Sequence, residues 1–324
     1  MASWAKFRRE NRQKPLEKNN PVEAVLGIDT SNYTTSVALT DRNGQILADA
    51  RRLLPVKEGA RGIRQSEAHF LHIKVLPELV KEAFSQGSFL LRGTAASSRP
   101  RPVEGSYMPV FTAGTAIGSS IALAMGIPYL EFSHQEGHLE AVKRYSDFRD
   151  EKDLIALHLS GGTCEILQVR SGEISIIGGS RDISFGQLVD RYGVALGLAF
   201  PAGAALEGIA DKEIPSSCLT NIKTQGLWFN LSGTENQLMN NLGKEGLATE
   251  LFERISSLLI RVLKDARKET GINYILSSGG VSENRIIRQR LQSEFGDGIA
   301  FGKPGLSSDN AVGISLLGGK TLWP

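Results

Sequence analysis

Two stretches of the chain share one order of apolar and polar positions. Residues 24–53 read as an apolar strand, a polar turn, a second strand, a hairpin at Asn43-Gly44 and a third strand. Residues 153–182 repeat that order, with a Ser-Gly pair at the hairpin. The two stretches begin about 130 residues apart, so each is placed to start a domain of ordinary size. The pattern therefore predicts an internal duplication.

A duplicated strand–turn–strand–hairpin unit is typical of the actin/sugar-kinase/Hsp70-like (ASKHA) architecture. In this α/β fold two lobes face each other, and the two polar turns bind nucleotide phosphates between them. We therefore predict a two-lobed α/β protein with its binding cleft between the lobes. We expect a basic flexible tail over residues 1–20, an N-terminal lobe over 21–134 and a C-terminal lobe over 135–324.

Helices and one long loop are predicted between and after the repeats. Residues 64–84 predict a helix, and its apolar face would consist of Phe70, Ile73, Leu76, Val80 and Phe84. His69 and His72 lie three apart in it, where they could form a metal pair or, as we prefer, flank the helix. Residues 94–110 contain prolines and arginines and predict a loop. A long amphipathic helix is predicted over residues 245–271.

The composition narrows the class of protein. Hydrophobic residues make up 41% of the chain and charged residues 22%, as in a soluble globular protein. A net charge of +2 does not indicate a nucleic-acid binder, although a local basic patch stays open. Cys164 and Cys218 give no disulfide framework, so we expect a cytoplasmic location. No apolar stretch is long enough to span a bilayer, so no membrane partner is expected.

A pair of histidines is the first sign of chemistry. The sequence HQEGH places His134 and His138 four residues apart. On a helix these positions share one face, so both imidazoles could reach one metal ion. By itself the spacing favours an ordinary helix surface, because it says nothing about a third ligand or an open coordination position.

Six short motifs together resemble those of the Gcp/TsaD family of tRNA threonylcarbamoyltransferases, which were formerly described as glycoproteases of peptidase family M22. The motifs are GIDTS at 27–31, SHQEGH at 133–138, LSGGT at 159–163, GLAFPAGAALE at 197–207, SGGVSENR at 278–285 and SDNAVGI at 308–314. They occur in the family's order. The resemblance runs from about Val25 to about Gly319 and so covers nearly all of the chain.

The resemblance implies a metal site. The family's ligands are two histidines and an aspartate, which correspond here to His134, His138 and Asp309. Two histidines and one carboxylate leave the open positions that a catalytic metal needs. His158, where archaeal relatives place a tyrosine ligand, could be a fourth ligand or a strand histidine that points into the lobe. Iron and zinc both suit such ligands.

The resemblance also implies a site for an ATP- or AMP-type nucleotide. Its phosphates would contact residues 160–163, the predicted phosphate turn, where missing side chains let backbone N–H groups approach anionic oxygen. The implied binding residues are His158, Leu159, Ser160, Gly161, Gly162, Thr163, Asp190, Gly203, Glu207 and Asn284. Asp190 and Glu207 would hold the ribose hydroxyls, and Asn284 would lie on the base side. Without the resemblance, a hairpin turn and helix surface would explain the same residues.

The implied reaction is transfer of the threonylcarbamoyl group from threonylcarbamoyl-AMP to the adenosine next to the anticodon of a tRNA. Partners would then be an adenine nucleotide, tRNA and other proteins of the threonylcarbamoyladenosine synthesis complex. A peptidase function is disfavoured, because Glu136 stands at the wrong offset for the HExxH pattern of zinc peptidases. No residue is predicted as a protein nucleophile.

The chain departs from the family where chemistry is expected. Asn32, Tyr33 and Thr34 replace a Cys-Asp-Glu run, so two acids are absent from the cleft. Thr163 replaces a bacterial histidine, and Glu235 replaces a lysine, so that we expect it to repel a phosphate. Two hypotheses stay open: a threonylcarbamoyltransferase, or a non-catalytic or differently acting paralogue that binds nucleotide and metal and partners a true synthase.

Overall fold

The structure is a computed structural model that describes residues 20–31, 33–56, 63–210, 212, 214–303 and 305–323. Nearly all of the predicted tail, residues 1–19, lies outside the described residues, as does Asn32. Each helix within the described ranges is too short or too polar to cross a lipid bilayer.

The first lobe is built on a mixed sheet. In the described part of the chain it has five strands, with the spatial order β3-β2-β1-β4-β5. Its elements are β1 (Val22–Thr30), β2 (Thr34–Thr40), β3 (Ile46–Leu53), α1 (Gln65–Phe84), β4 (Phe89–Arg99), α2 (Phe111–Met125) and β5 (Tyr129–Ser133). β2 runs antiparallel to both β1 and β3, whereas β4 runs parallel to β1 and β5 runs parallel to β4.

The second lobe contains a larger sheet. Its seven strands among the described residues have the spatial order β12-β11-β6-β7-β8-β10-β9. The strands are β6 (Asp153–Leu159), β7 (Cys164–Arg170), β8 (Glu173–Ser180), β9 (Thr224–Gln225), β10 (Trp228–Phe229), β11 (Ile275–Ser278) and β12 (Ile299–Phe301). The helices from residue 134 onward are α3 (His134–Arg144), α4 (Phe185–Ala195), α5 (Gly203–Ala210), α6 (Ser232–Asn240), α7 (Leu247–Thr270), α8 (Arg285–Phe295) and α9 (Val312–Leu322).

The predicted duplication is confirmed. Strands β6, β7 and β8 form the same antiparallel series as β1, β2 and β3, and β11 runs parallel to β6 as β4 runs parallel to β1. Each lobe therefore carries a polar turn after its first strand. The helix predicted over 245–271 is also confirmed, as α7, and its apolar face packs into the core of the second lobe.

The last helix packs against the first sheet, although the predicted domain division assigns it to the second lobe. Ser315 Oγ in α9 donates to the backbone oxygen of Val25 at 2.8 Å and lies 2.7 Å from Thr40 Oγ1. Gly27 permits this approach, because a Cβ atom there would lie 2.5 Å from the backbone oxygen of Ala311. The segment just before α9 is thereby held against the end of β1.

The predicted apolar face of α1 is wrong at two of its five positions, since Leu76 is buried and Val80 and Phe84 are partly buried against the core. Phe70 is 60% exposed and Ile73 is 45% exposed. The buried stripe consists of Ala68, His72, Leu76, Leu79 and Ala83. It follows a helical spacing of three and four residues but is rotated relative to the prediction, because the packing of the helix on β2 and β3 decides which side is covered.

His72 is therefore a core residue and not a helix flank. Its side chain is fully buried, and its Nδ1 atom lies 2.8 Å from Thr35 Oγ1. Burial lowers the pKa of His72 to about 4. The loop prediction is also partly wrong, because β4 continues to Arg99 and only the residues after it form a loop.

Candidate functional site

The start of α3 positions both histidines of the HQEGH segment. Ser133 caps this helix: its Oγ accepts from Glu136 N at 3.2 Å, and a carboxylate oxygen of Glu136 accepts from Ser133 N at 2.7 Å. This reciprocal capping fixes the first turn. His134 and His138 consequently project from the same side of the helix, towards the loop that precedes α9.

That loop brings in Asp309, and the three predicted ligands meet. The Nε2 atoms of His134 and His138 lie 3.0 Å apart, and Asp309 Oδ1 lies 3.4 Å from the first and 3.3 Å from the second. Ligand bonds of about 2.0–2.1 Å in a tetrahedral zinc site place the ligand atoms about 3.3 Å from one another. The donor set therefore fits a divalent metal ion in both chemistry and spacing.

A buried carboxylate that the sequence analysis did not assign stands behind this centre. Asp29 is fully buried, and its Oδ1 atom lies 2.9 Å from His134 Nδ1. Ser97 Oγ donates to the same oxygen. Such a contact fixes the tautomer and ring orientation of a metal-binding histidine. The signal in the sequence was an acid inside an otherwise apolar strand, in the GIDTS motif.

The polar turn of the first lobe also touches the centre. Ser31 Oγ donates to Asp309 Oδ2 at 2.8 Å, so the two oxygens of this carboxylate have different neighbours. One faces the histidines and the other is held by the turn. The first lobe, the α3 helix and the loop before α9 thus all contribute to one cluster.

The charged groups of the cluster shift one another's pKa values. Burial acts to lower the pKa of His134, but the charges and hydrogen bonds of Asp29 and Asp309 outweigh it and raise that pKa to about 10. Burial and the neighbouring His134 lower the pKa of His138. Burial opposes ionisation of Asp309, yet the two histidines hold its pKa well below the usual value. A metal cation bound here would therefore compete with a proton for His134.

His158 lies beside the cluster but outside the donor set. Its ring centroid lies 4.8 Å from that of His138, and its Nδ1 atom lies 3.1 Å from Ser278 Oγ. In the described ranges, the donors that lie within 4.8 Å of one another come from His134, His138 and Asp309. Burial and the two neighbouring histidines lower the pKa of His158 well below its ordinary value, so the ring is neutral.

A cleft of about 450 Å³ adjoins the phosphate turn in the second lobe. It brings together five residues that the sequence analysis assigned to nucleotide binding: Gly161, Asp190, Gly203, Glu207 and Asn284. These residues come from the β6–β7 turn, α4, α5 and the start of α8. The remaining predicted residues, His158 to Ser160 with Gly162 and Thr163, lie along the adjoining strand and turn but do not line this cleft.

The turn of residues 160–163 is compact, and its two glycines leave the backbone uncovered. Ser160 N donates to Thr163 O at 2.8 Å, and Thr163 N donates to Ser160 Oγ at 3.0 Å. The positions above Gly161 and Gly162 are open, so the backbone there is accessible to a ligand. Leu159, by contrast, is fully buried in the apolar core and can offer only backbone atoms.

The two carboxylates of the cleft already have partners. Asp190 Oδ1 accepts from Ala202 N at 2.8 Å, and burial raises the pKa of Asp190. Glu207 is only 8% exposed and accepts from the side chain and the backbone N–H of Arg285. Asn284 caps α8, since its Oδ1 accepts from Ile287 N at 3.0 Å. These residues are held in place and are not free helix surface.

The residues that depart from the family pattern have defined surroundings. Tyr33 packs against Phe200 across the cleft, with ring centroids 5.5 Å apart. Glu235 accepts from Arg191 Nη1 at 3.1 Å and 3.0 Å, which corrects the expectation that this acid repels phosphate, because its charge is balanced. Thr163 is half-buried in the phosphate turn.

The loop after β4 also reaches the second lobe. Arg101 Nη2 lies 2.7 Å from Glu165 Oε1, and the other oxygen of this glutamate accepts from Gln135 Nε2 at 2.6 Å. Glu165 pairs with His158 across the β6–β7 ladder. An ion pair between the lobes therefore lies next to the metal centre. Sequence reasoning noted Arg101 but had no means to find its partner.

Comparison with known proteins bears on this arrangement. The model of the TsaD family, described as tRNA N6-adenosine threonylcarbamoyltransferase, matches residues 52–316. The chain belongs to the TsaD family. A relative from Streptococcus suis strain 05ZYH33, named tRNA N6-adenosine threonylcarbamoyltransferase, is 27% identical over 311 residues that cover 90% of either chain.

Solved structures with low sequence identity share the fold. Component A of (R)-2-hydroxyglutaryl-CoA dehydratase from Acidaminococcus fermentans aligns with a TM-score of 0.57 and 16% identity, over 93% of this chain and 99% of that one. A ROK family glucokinase from Streptomyces griseus, in complex with glucose and AMPPNP, aligns with a TM-score of 0.51 and 14% identity, over 91% and 98%. The two-lobed ASKHA fold that the duplication predicted is therefore confirmed.

Proposed function

We propose that this protein is a metal-dependent tRNA threonylcarbamoyltransferase. One observation supports the proposal most strongly. A set of side chains suited to a divalent metal lies next to a cleft that is lined by the implied nucleotide-binding residues. His158 connects the two: its ring lies 4.8 Å from that of His138 in the donor set, and it stands in β6 beside Ser278 of β11, two strands that each lead into a glycine turn at the cleft.

The substrate would be threonylcarbamoyl-AMP, bound with its ribose near Asp190 and Glu207 and its phosphate near residues 160–163. The acceptor would be the exocyclic amine of the adenosine next to the anticodon. Its nitrogen attacks the carbonyl carbon of the mixed anhydride, the bond from that carbon to the phosphate oxygen breaks, and AMP leaves with the electron pair while the amine loses a proton. Fixed positions for donor and acceptor supply much of such a rate enhancement.

His134, His138 and Asp309 would hold the metal, which is iron or zinc. When bound, a divalent ion there supplies a Lewis acid for the oxygens of the acyl group. Asp29 keeps the Nδ1–H of His134 occupied, so that the Nε2 lone pair faces the ion. Ser31 fixes the orientation of the Asp309 carboxylate.

The same reasoning gives the cofactors and partners. An adenine nucleotide and one divalent metal would bind the protein itself. The acceptor would be a tRNA. The other proteins of the threonylcarbamoyladenosine synthesis complex would act together with this protein in the cytoplasm. The name of the Streptococcus suis relative supports the tRNA substrate at the level of the family.

A second candidate is a paralogue that binds nucleotide and metal without this transfer. Tyr33 and Thr34 favour it, because these residues stand where the resemblance leads us to expect two acids. The ion pair between Arg191 and Glu235 weakens the argument for this second candidate, because the negative charge of Glu235 is balanced.

The test is incorporation of labelled threonine into tRNA. The purified protein is combined with tRNA, threonine, bicarbonate, ATP, a threonylcarbamoyl-AMP synthase and the family's partner proteins. We expect incorporation that is lost in His138→Ala together with bound metal, and retained in His69→Ala, whose half-buried histidine lies on α1 outside the donor set. Bound metal and AMP without any incorporation would support the second candidate instead.

A further inference from the structure

A second, smaller chamber opens beside the nucleotide cleft. It has a volume of about 180 Å³, and its lining includes Tyr33 from the first lobe and Gly161, Gly162, Asp190 and Phe200 from the second. We call it the acceptor chamber. Tyr33 and Phe200 are half-buried, so each ring presents part of its surface to the space.

The position of the acceptor chamber relates it to both sites already described. Gly161 and Asp190 line the chamber as well as the nucleotide cleft. On its other side, Tyr33 follows Ser31 by two residues, and Ser31 Oγ donates to the metal ligand Asp309. The chamber thus lies where a second substrate would stand if nucleotide and metal held the first.

The walls of the chamber define the ligand chemistry. The rings of Tyr33 and Phe200 lie 5.5 Å apart and are tilted by 59°, which forms an aromatic corner. Two charged side chains line the chamber: Arg191 donates to both carboxylate oxygens of Glu235, and Asp190 accepts from the backbone N–H of Ala202. Such a surface suits a flat, uncharged ring better than a phosphate or a carboxylate, because aromatic faces stack on bases of any identity.

The volume sets the size of that ring. At about 180 Å³ the chamber has less than half the volume of the neighbouring cleft, which is about 450 Å³, so it suits a single ring system better than a second nucleotide. Single-stranded RNA loops are recognised through bases that are splayed out of the stack and placed on aromatic side chains. A base that enters the chamber would leave its ribose and phosphates outside.

We propose that the acceptor chamber receives the purine ring of the acceptor adenosine, with Tyr33 as the residue that stacks on it. This inference rests on the proposed function, since it assigns the place of the second substrate of that reaction. Tyr33 stands where the resemblance leads us to expect an acid. The chain therefore has a stacking surface in place of a charged group where the acceptor would enter, and this surface contributes affinity for the base.

The experiment compares two RNAs on two proteins. A fluorescein-labelled anticodon stem-loop of 17 nucleotides carries either adenine or an abasic site next to the anticodon, and binding is followed by fluorescence anisotropy with AMP and zinc present at saturation. Phosphate contacts are common to both RNAs and cancel in the ratio of dissociation constants. Base–aromatic stacking predicts that the wild-type protein prefers the adenine RNA by about 5- to 140-fold.

Substitutions at Tyr33 test whether its aromatic ring causes the preference for the adenine RNA. Tyr33→Ala should bind both RNAs equally, whereas Tyr33→Phe should keep the preference, because it retains the ring. Tyr107→Ala is the matched control, since Tyr107 is 66% exposed in the loop after β4. Equal binding of the two RNAs by the wild-type protein would overturn the proposal, and so would a preference that survives in Tyr33→Ala.

The affinity for AMP separates this inference from the proposed function. AMP binding is measured by calorimetry on each protein, and we expect all variants to remain within twofold of wild type. Failure of the wild-type protein to bind AMP would contradict the nucleotide site and the proposed function. Normal AMP binding without preference for adenine RNA would contradict the acceptor chamber alone.

Discussion

Asp29 and His134 are separated by 105 positions in the chain, yet Asp29 Oδ1 lies 2.9 Å from His134 Nδ1. Asp29 is the second-last residue of β1, and His134 is the first residue of α3. The contact therefore joins the first repeat of the fold to the helix that bears two of the three proposed metal ligands. It orients the imidazole from behind, while Asp309 and His138 face its Nε2 atom.

Replacement of Asp29 by asparagine should weaken metal binding. Asn keeps a hydrogen-bond acceptor but removes the charge that makes the histidine a stronger ligand, and changes behind a ligand typically cost about 10- to 100-fold in metal affinity. Elemental analysis and zinc titration of Asp29→Asn would measure this. The control is Asp49→Asn, because Asp49 pairs with Arg51 on the surface of β3. Unchanged zinc affinity in Asp29→Asn would show that the contact has no part in the metal site.

Asp190 should contribute to nucleotide binding through its charge. Asp190→Asn keeps an acceptor for Ala202 N, so the local backbone is retained. Loss of a hydrogen bond from ribose to a charged group should weaken AMP binding by about 1–3 kcal/mol. Calorimetry with AMP checks this, with Asp265→Asn on the exposed side of α7 as control. Equal AMP affinity of the two variants would remove Asp190 from the site.

His72 should make the fold sensitive to acid. Its pKa is about 4 in the folded protein, against 6.5 for an exposed histidine, so its stabilising effect is complete above pH 6.5 and is lost as the pH falls towards 4. The difference corresponds to roughly 3 kcal/mol at most. Urea unfolding of metal-free protein should therefore show a flatter pH dependence for His72→Gln than for wild type.

His69→Gln serves as the comparison, because His69 is only half-buried on the same helix. It should keep the wild-type pH dependence of the free energy of unfolding. If His72→Gln and wild type lose stability in parallel between pH 7 and pH 4.5, protons taken up elsewhere cause the acid sensitivity.

The sequence predicts the local parts of this molecule well. The paired strand–turn–strand units and the long α7 helix follow from spacing and periodicity, and the motifs select three side chains, His134, His138 and Asp309, that the fold brings together. Spacing within one segment reports which residues share a face, and this information is present in the chain itself.

Contacts between distant segments could not be predicted in this way. The pairs Asp29–His134, Arg101–Glu165 and Tyr33–Phe200 each join segments whose relative position depends on the complete fold. The same limit explains α9: no local pattern shows that Ser315 reaches Val25, 290 positions away. It also explains the rotated face of α1, since only the neighbouring strands determine which side of a helix of mixed polarity is covered.

Gly186 provides a test of the phosphate turn that leaves every polar group in place. A Cβ atom at this position would lie 2.5 Å from Gly161 Cα and 2.8 Å from Ser160 O. Both are backbone atoms of the turn, so Gly186→Ala would require the turn or the start of α4 to move. Strain of this kind typically costs about 1–3 kcal/mol. We expect AMP affinity to fall by a similar amount, because the moved turn is the one proposed to contact phosphate.

Gly208→Ala is the matched control. Gly208 lies within α5, and a Cβ atom there would meet nothing within 4 Å. Alanine in a helix interior should stabilise the fold by about 0.5–1 kcal/mol and leave AMP binding unchanged. Thermal unfolding of each variant distinguishes a displaced turn from a general loss of structure. If Gly186→Ala binds AMP as tightly as Gly208→Ala does, the phosphate lies elsewhere, because a turn that must move to admit the methyl group could not keep its contacts with a bound phosphate.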